Sequence, residues 1–190
     1  MILNKILPYI LCISLFAVVS CRNKMADKVD MMISKKVAID TMAMNVVKPM
    51  RSLYGSINNK EKYKLIVFYD DKECLSCKAG KLNEWHGLLS RIYYDYQNVV
   101  VYFIFSPAHN DVMKLKEVLA SQRFGHVIYV DDRGIFRKQN PWLPNESLYH
   151  TFLVDYDNRI VLVGNPLQNA KISEMFLAQP TNPVGKLCRR

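Results

Sequence analysis

Cys74 and Cys77 stand three positions apart, with Leu75 and Ser76 between them and Lys78 directly behind. Two thiols at that spacing across a helix start can close into a disulfide with little backbone movement. The first sulfur then lies near unpaired backbone N–H groups and the positive end of the helix dipole, which favours its thiolate. Cys74 is thereby the expected attacking nucleophile. Cys77, further into the helix and more covered, is the expected resolving thiol that breaks a mixed disulfide. Lys72 and Lys78 favour the thiolate, while Glu73, beside the nucleophile, opposes it.

Other chemistries of a C-x-x-C pair fit less well. A c-type haem needs His directly after the second cysteine, and Lys78 stands there. A structural zinc needs about four ligands, and no second C-x-x-C exists. Copper held by Cys74, Cys77 and His150 is the metal alternative; no metal or cofactor is otherwise expected. His86, His109 and His126 receive no role. Asp70, Asp71, Asp131 and Asp132 read as turn and solvent groups, not as paired catalytic acids. Phosphate-binding loops and hydrolase spacings are absent.

The elements that position the pair follow from hydrophobic patterning. The chain has 190 residues, 50% hydrophobic and 23% charged, enough apolar surface to exclude a disordered or low-complexity chain. Residues 64–70 form a continuous apolar run of strand length that leads into the cysteines. Behind them Leu82, Trp85, Leu89 and Ile92 make a helical stripe. Residues 98–105 read as a second buried strand. Asn110 is the expected cap of a helix with Leu115, Val118 and Leu119 inward, and 126–130 as a third strand. After a Pro-containing loop, 151–154 and 159–163 flank Asp155-Tyr156-Asp157-Asn158 as a hairpin. Asn169 opens a last helix with Ile172, Met175 and Phe176 inward, stopped before Pro180. Strands alternating with helices imply an α/β fold with a mixed sheet covered on both faces.

The first twenty residues read as a leader: Lys5, an apolar run from Ile6 to Val19, and small Ser20. Val18-Val19-Ser20-Cys21 is similar to a bacterial lipobox, which makes Cys21 the expected lipidation site. Acyl chains there would hold the protein on a membrane facing the periplasm, since each buried methylene contributes ~0.8 kcal/mol. Arg22 is not an acidic retention signal, which leans towards an outer membrane. Residues 21–62 read as lipidated tether and lead-in, with a short edge strand at 37–40, and 179–190 as a basic tail holding an unpaired Cys188. Six of the nine methionines fall in 22–50 without a regular metal-binding array and are expected to pack against the domain. The net charge of +9 is spread along the chain, so nucleic acid is not an expected partner.

A strand, then C-x-x-C-K at the mouth of a helix, then a closing hairpin and helix, resembles the thioredoxin fold over residues 63–178. The helix and strand at 110–130 look like the insert of the TlpA-like anchored thiol–disulfide oxidoreductases, and Phe152-Leu153-Val154-Asp155 is similar to their hairpin. Tyr63-Lys64-Leu65-Ile66, Cys74–Lys78, and His150–Asp155 with Gly164-Asn165-Pro166 resemble small thioredoxin-like lipoproteins of Bacteroidetes. The resemblance implies a redox pair acting on protein thiols and disulfides. Two departures stand out. Glu73 occupies the place where such enzymes usually carry Trp, and Leu148-Tyr149-His150-Thr151 lacks their cis-proline. Without it His150 can approach Cys74 as a cation or as a ligand. Alternatively His150 points away along the pleat, and Tyr149 or Thr151 faces the disulfide. Two functions stay open: an oxidoreductase, or a binding lipoprotein in which the pair is a fixed disulfide.

Overall fold

The computed structural model describes residues 24–47, 63–95, 98–122 and 124–178. The leader, Cys21, residues 48–62 and the tail with Cys188 lie outside them.

The centre of the sheet is β2 (Tyr63–Tyr69) beside β3 (Val99–Phe105), parallel, with Leu65 opposite Val101 and Phe68 opposite Ile104. Alternate side chains enter two cores. Leu65, Val67, Val101, Phe103 and Phe105 point to one, and Ile66, Phe68, Tyr102 and Ile104 to the other. A strand covered on both faces has no polar side to show, which explains the unbroken apolar runs. β4 (Ile128–Val130) joins β3 in parallel, and the hairpin of β5 (Thr151–Val154) and β6 (Ile160–Val163) lies antiparallel on the other side of β2. β1 (Asn45–Val47) closes the far edge antiparallel to β4, giving the order β1-β4-β3-β2-β5-β6. The fold is α/β and thioredoxin-like, a mixed six-stranded sheet flanked by helices, with two helices and a strand between β3 and the hairpin.

The first core is covered by α2 (Leu75–Gly80), α3 (His86–Asp95), α4 (Val112–Ser121) and α6 (Ala170–Ala178). The second is covered by α1 (24–32) and α5 (Ile135–Gln139). The expected stripe Leu82, Trp85, Leu89 and Ile92 is buried, but the helix is interrupted after Gly80 by a 3-10 turn at Leu82–Trp85.

The segment 24–47 packs on the domain as expected of its methionines, with Met32 and Met44 entering the second core beside Val37. Several local expectations are corrected. The edge strand of that segment is β1, not 37–40. The buried Asn140 side chain takes both the N–H and the carbonyl of Ala38, each at 2.9 Å, so that backbone is satisfied without a strand neighbour. Asn110 lies in a 3-10 turn, and the N-cap position of α4 is Asp111, without a side-chain cap bond. Asn169 does cap α6, accepting the Ile172 N–H at 3.2 Å. Met175 is exposed there, and Leu177 joins Phe176 inward. Asp131 is not a solvent group: its two carboxylate oxygens accept the N–H groups of Ile135 and Phe136, each at 2.8 Å, and start α5.

Candidate functional site

The chain leaves β2 at Asp70 and reaches Cys74 through one tight turn. Asp70 shapes it: its Oδ1 accepts the Lys72 N–H at 3.1 Å, and its carbonyl accepts the Glu73 N–H at 3.2 Å. Cys74 is the N-cap of α2, and its sulfur accepts the Cys77 N–H at 3.3 Å. Cys74 and Cys77 are joined as a disulfide, with Cα atoms 5.3 Å apart. Both residues are exposed. The N–H bond to its sulfur distinguishes Cys74, because a negative charge there would meet a donor already in place.

The charges flanking the pair compensate one another. Lys78 Nζ lies 2.9 Å from Glu73 Oε2 and 5.6 Å from the Tyr69 ring centroid, while Lys72 Nζ donates to Asn145 at 2.9 Å. Burial pushes the Tyr69 hydroxyl up to about 12, keeping it neutral beside them.

Behind the turn lies a buried polar group that the sequence only partly announces. Asp70, expected as a solvent residue, is buried and accepts from Arg137 Nη2 at 2.7 Å. Arg137 also donates to the Leu143 carbonyl at 3.0 Å and lies over Phe68. His150 comes in from the turn just before β5, where its carbonyl accepts the Phe68 N–H at 2.9 Å. Its ring is buried, with Nε2 2.8 Å from the Pro144 carbonyl and 3.1 Å from Arg137 Nη2. With Nε2–H donated to that carbonyl, the shorter of its two contacts, Nδ1 is bare in the neutral ring, and the Arg137 contact is then not a hydrogen bond. Burial is the main cause that holds His150 below its ordinary value of 6.5. Of the two forms considered from sequence, burial favours the neutral ring over the cation.

The other two expected neighbours lie on either side of His150. Tyr149 is buried under Lys28 of α1, and Thr151 opens β5 on the sheet face that α2 covers, with its register partner Val67. Among the described residues the ligating groups that converge are Asp70, Glu73 and His150, and neither sulfur belongs to that set. The three copper ligands considered from sequence are thus not brought together. His86 is half-buried and bonded to Asn83, and His126 is turned to the Val127 carbonyl.

Arg137 escapes a reading of the sequence because α5 is only five residues long. Its available signal is Asp131 placed four and five residues ahead of Ile135 and Phe136.

No family model matches the chain. No curated protein sequence matches it either. Among solved structures it is similar to a candidate thiol:disulfide interchange protein, DsbE, from Chlorobium tepidum, at 14% identity and a TM-score of 0.48, covering 77% of this chain and 96% of that one. It is also similar to a candidate thiol–disulfide oxidoreductase from Bacteroides vulgatus, at 16% identity and a TM-score of 0.47, covering 63% and 74%. A thioredoxin-like protein in its oxidised form shares 19% identity at a TM-score of 0.43, covering 70% and 97%.

Proposed function

We propose that the protein is a thiol–disulfide oxidoreductase that exchanges its Cys74–Cys77 pair with protein thiols outside the cytoplasm, held to a membrane by lipid on Cys21. The observation that carries the reading is an exposed disulfide at the end of a central strand, with the first sulfur already accepting a helix N–H. With the pair reduced, the Cys74 thiolate attacks one sulfur of a partner disulfide and releases the other as a thiolate. Cys77, deprotonated, then attacks the Cys74 sulfur, closing the ring and freeing the second partner thiol. Reversed, the same two steps oxidise a partner dithiol. The leader and lipobox pattern support the envelope location, which faces the periplasm on this reading.

The test is adduct trapping in cells. Cys77→Ala leaves the nucleophile but removes the resolving thiol, so mixed disulfides with partner proteins accumulate. Cys74→Ala accumulates few. Equal, empty results from both variants would identify a fixed disulfide in a binding protein. Cys21→Ser, followed by membrane fractionation and fatty-acid labelling, checks the anchor.

A further inference from the structure

Asp70, Glu73 and His150 bring three potential metal-ligating atoms within 4.8 Å of one another. A divalent ion fits poorly, because the Arg137 guanidinium already pairs with Asp70 at Oδ2 and would face the ion as a like charge, while Oδ1 accepts the Lys72 N–H. What stays open is Glu73 Oε1 and His150 Nδ1, both buried without a hydrogen-bond partner and 3.9 Å apart. The His150 side chain is 1% exposed and that of Glu73 10%. Two facing acceptors are too few for a metal, but they suit a proton. Either group, once protonated, would donate to the other and remove two unsatisfied buried atoms at once.

We propose that Glu73 and His150 form a one-proton site that fills when the Cys74–Cys77 disulfide is reduced. The inference rests on the cycling reading of the pair. The surrounding charges explain the coupling. At the end of β2 stand Asp70 and neutral Tyr69; α2 contributes Lys78, α5 contributes Arg137, and the loop before β5 contributes Glu146, bonded to Lys28 of α1. Asp70 is offset by Arg137, Glu73 by Lys78 and Glu146 by Lys28. With the disulfide closed there is no surplus negative charge to hold a further proton. Reduction creates a thiolate on Cys74, the residue after Glu73. That charge raises the affinity of the pair for a proton, and by reciprocity the bound proton favours the thiolate.

The step balances with an external dithiol as reductant. The dithiol gives up two electrons and two protons and becomes a disulfide. The electrons break the Cys74–Cys77 bond, leaving Cys74 as thiolate and Cys77 as thiol. One proton goes to Cys77 and the other to the Glu73–His150 pair. Both residues act through Cys74 and are positioning residues.

Imidazole nitrogen NMR on the full chain, oxidised and then reduced with dithiothreitol, tests the proposal. His150 should hold its Nδ1 proton to higher pH in the reduced protein, by on the order of tenfold in proton affinity. Glu73→Gln, whose amide can donate permanently to Nδ1, should abolish that difference. A His150 midpoint that is the same in both redox states overturns the proton site, and so does a shift that survives Glu73→Gln. If the variant fails to fold, the two redox states of the unaltered protein decide alone. A disulfide that dithiothreitol cannot open overturns the cycling reading and this inference together. An opened disulfide with an unmoved His150 overturns only the inference.

Discussion

Arg137 reaches from α5 to Asp70 at the end of β2, with Nη2 2.7 Å from Oδ2 across 67 positions of sequence. The same guanidinium donates to the Leu143 carbonyl, so one side chain ties the turn that carries Cys74 to the loop that leads into β5. Asp70 is buried while Arg137 keeps 28% of its side chain in solvent. The carboxylate is therefore the partner that would suffer most from separation.

Replacing Arg137 by Ala should destabilise the protein by about 3 kcal/mol, the lower end for breaking a buried pair, because Arg137 keeps some water. Urea unfolding of the disulfide-closed protein measures it. Asp70→Asn/Arg137→Ala should recover part of the loss, since no carboxylate then stays buried alone. A double variant no better than Arg137→Ala would show that lost packing dominates.

His150 makes stability depend on pH in a defined direction. Its folded-state pKa lies below the ordinary 6.5, chiefly through burial, so the unfolded chain binds a proton there more readily than the folded one. Its contribution is fully present above 6.5, is lost as pH falls from there towards the folded pKa, and levels off below it. His126, also lowered by burial, acts in the same sense. Urea midpoints at about pH 7.5 and about pH 5 should show the fall, and His150→Phe should make it smaller. An equal fall in that variant would assign it to other groups.

Asp131→Ala should cost about 2 kcal/mol, because one carboxylate caps two N–H groups of α5. The loss should spread to the redox site, since α5 carries Arg137. Faster alkylation of reduced Cys74, set beside a denaturation curve, would register both effects. Unaltered alkylation with lowered stability would confine the damage to the helix.

Gly164 has φ of 135°, and a Cβ built there would lie 2.3 Å from Ile172 Cδ1. Gly164→Ala should destabilise by about 1–3 kcal/mol, from backbone strain that Ile172 cannot relieve by rotating. Adding Ile172→Val separates the two causes: full recovery would mean the clash alone was responsible.

The parts of the fold that a sequence shows well are those with long, regular patterns. The two central strands announce themselves because both their faces are buried, and the hairpin because Asp155–Asn158 separates two apolar runs. Cys74 and Cys77 are legible from spacing alone. The layer behind them is less so. Asp70, Arg137 and the Pro144 carbonyl meet through tertiary contacts between segments 67 and more positions from one another or within an irregular loop, and no local pattern encodes that. Acidic residues at strand ends ordinarily face water, which is why Asp70 and Asp131 read as solvent groups while both are buried. No local pattern shows that the Ala38 backbone is taken by Asn140, 102 positions away, and the Val37 N–H by the Asn158 carbonyl, while the edge strand forms at 45–47 against β4.

That clamp on Ala38, with Met32 buried in the second core, has a bearing on reach. Only residues 22 and 23 separate Cys21 from residue 24, where α1 is described, and three Cα-to-Cα steps extend no further than about 10 Å. With acyl chains on Cys21, the catalytic unit would ride on a short leash, close against the lipid headgroups. Geometry would then filter its clientele: proteins that approach the bilayer surface would come within range, while those diffusing through the middle of the compartment would not.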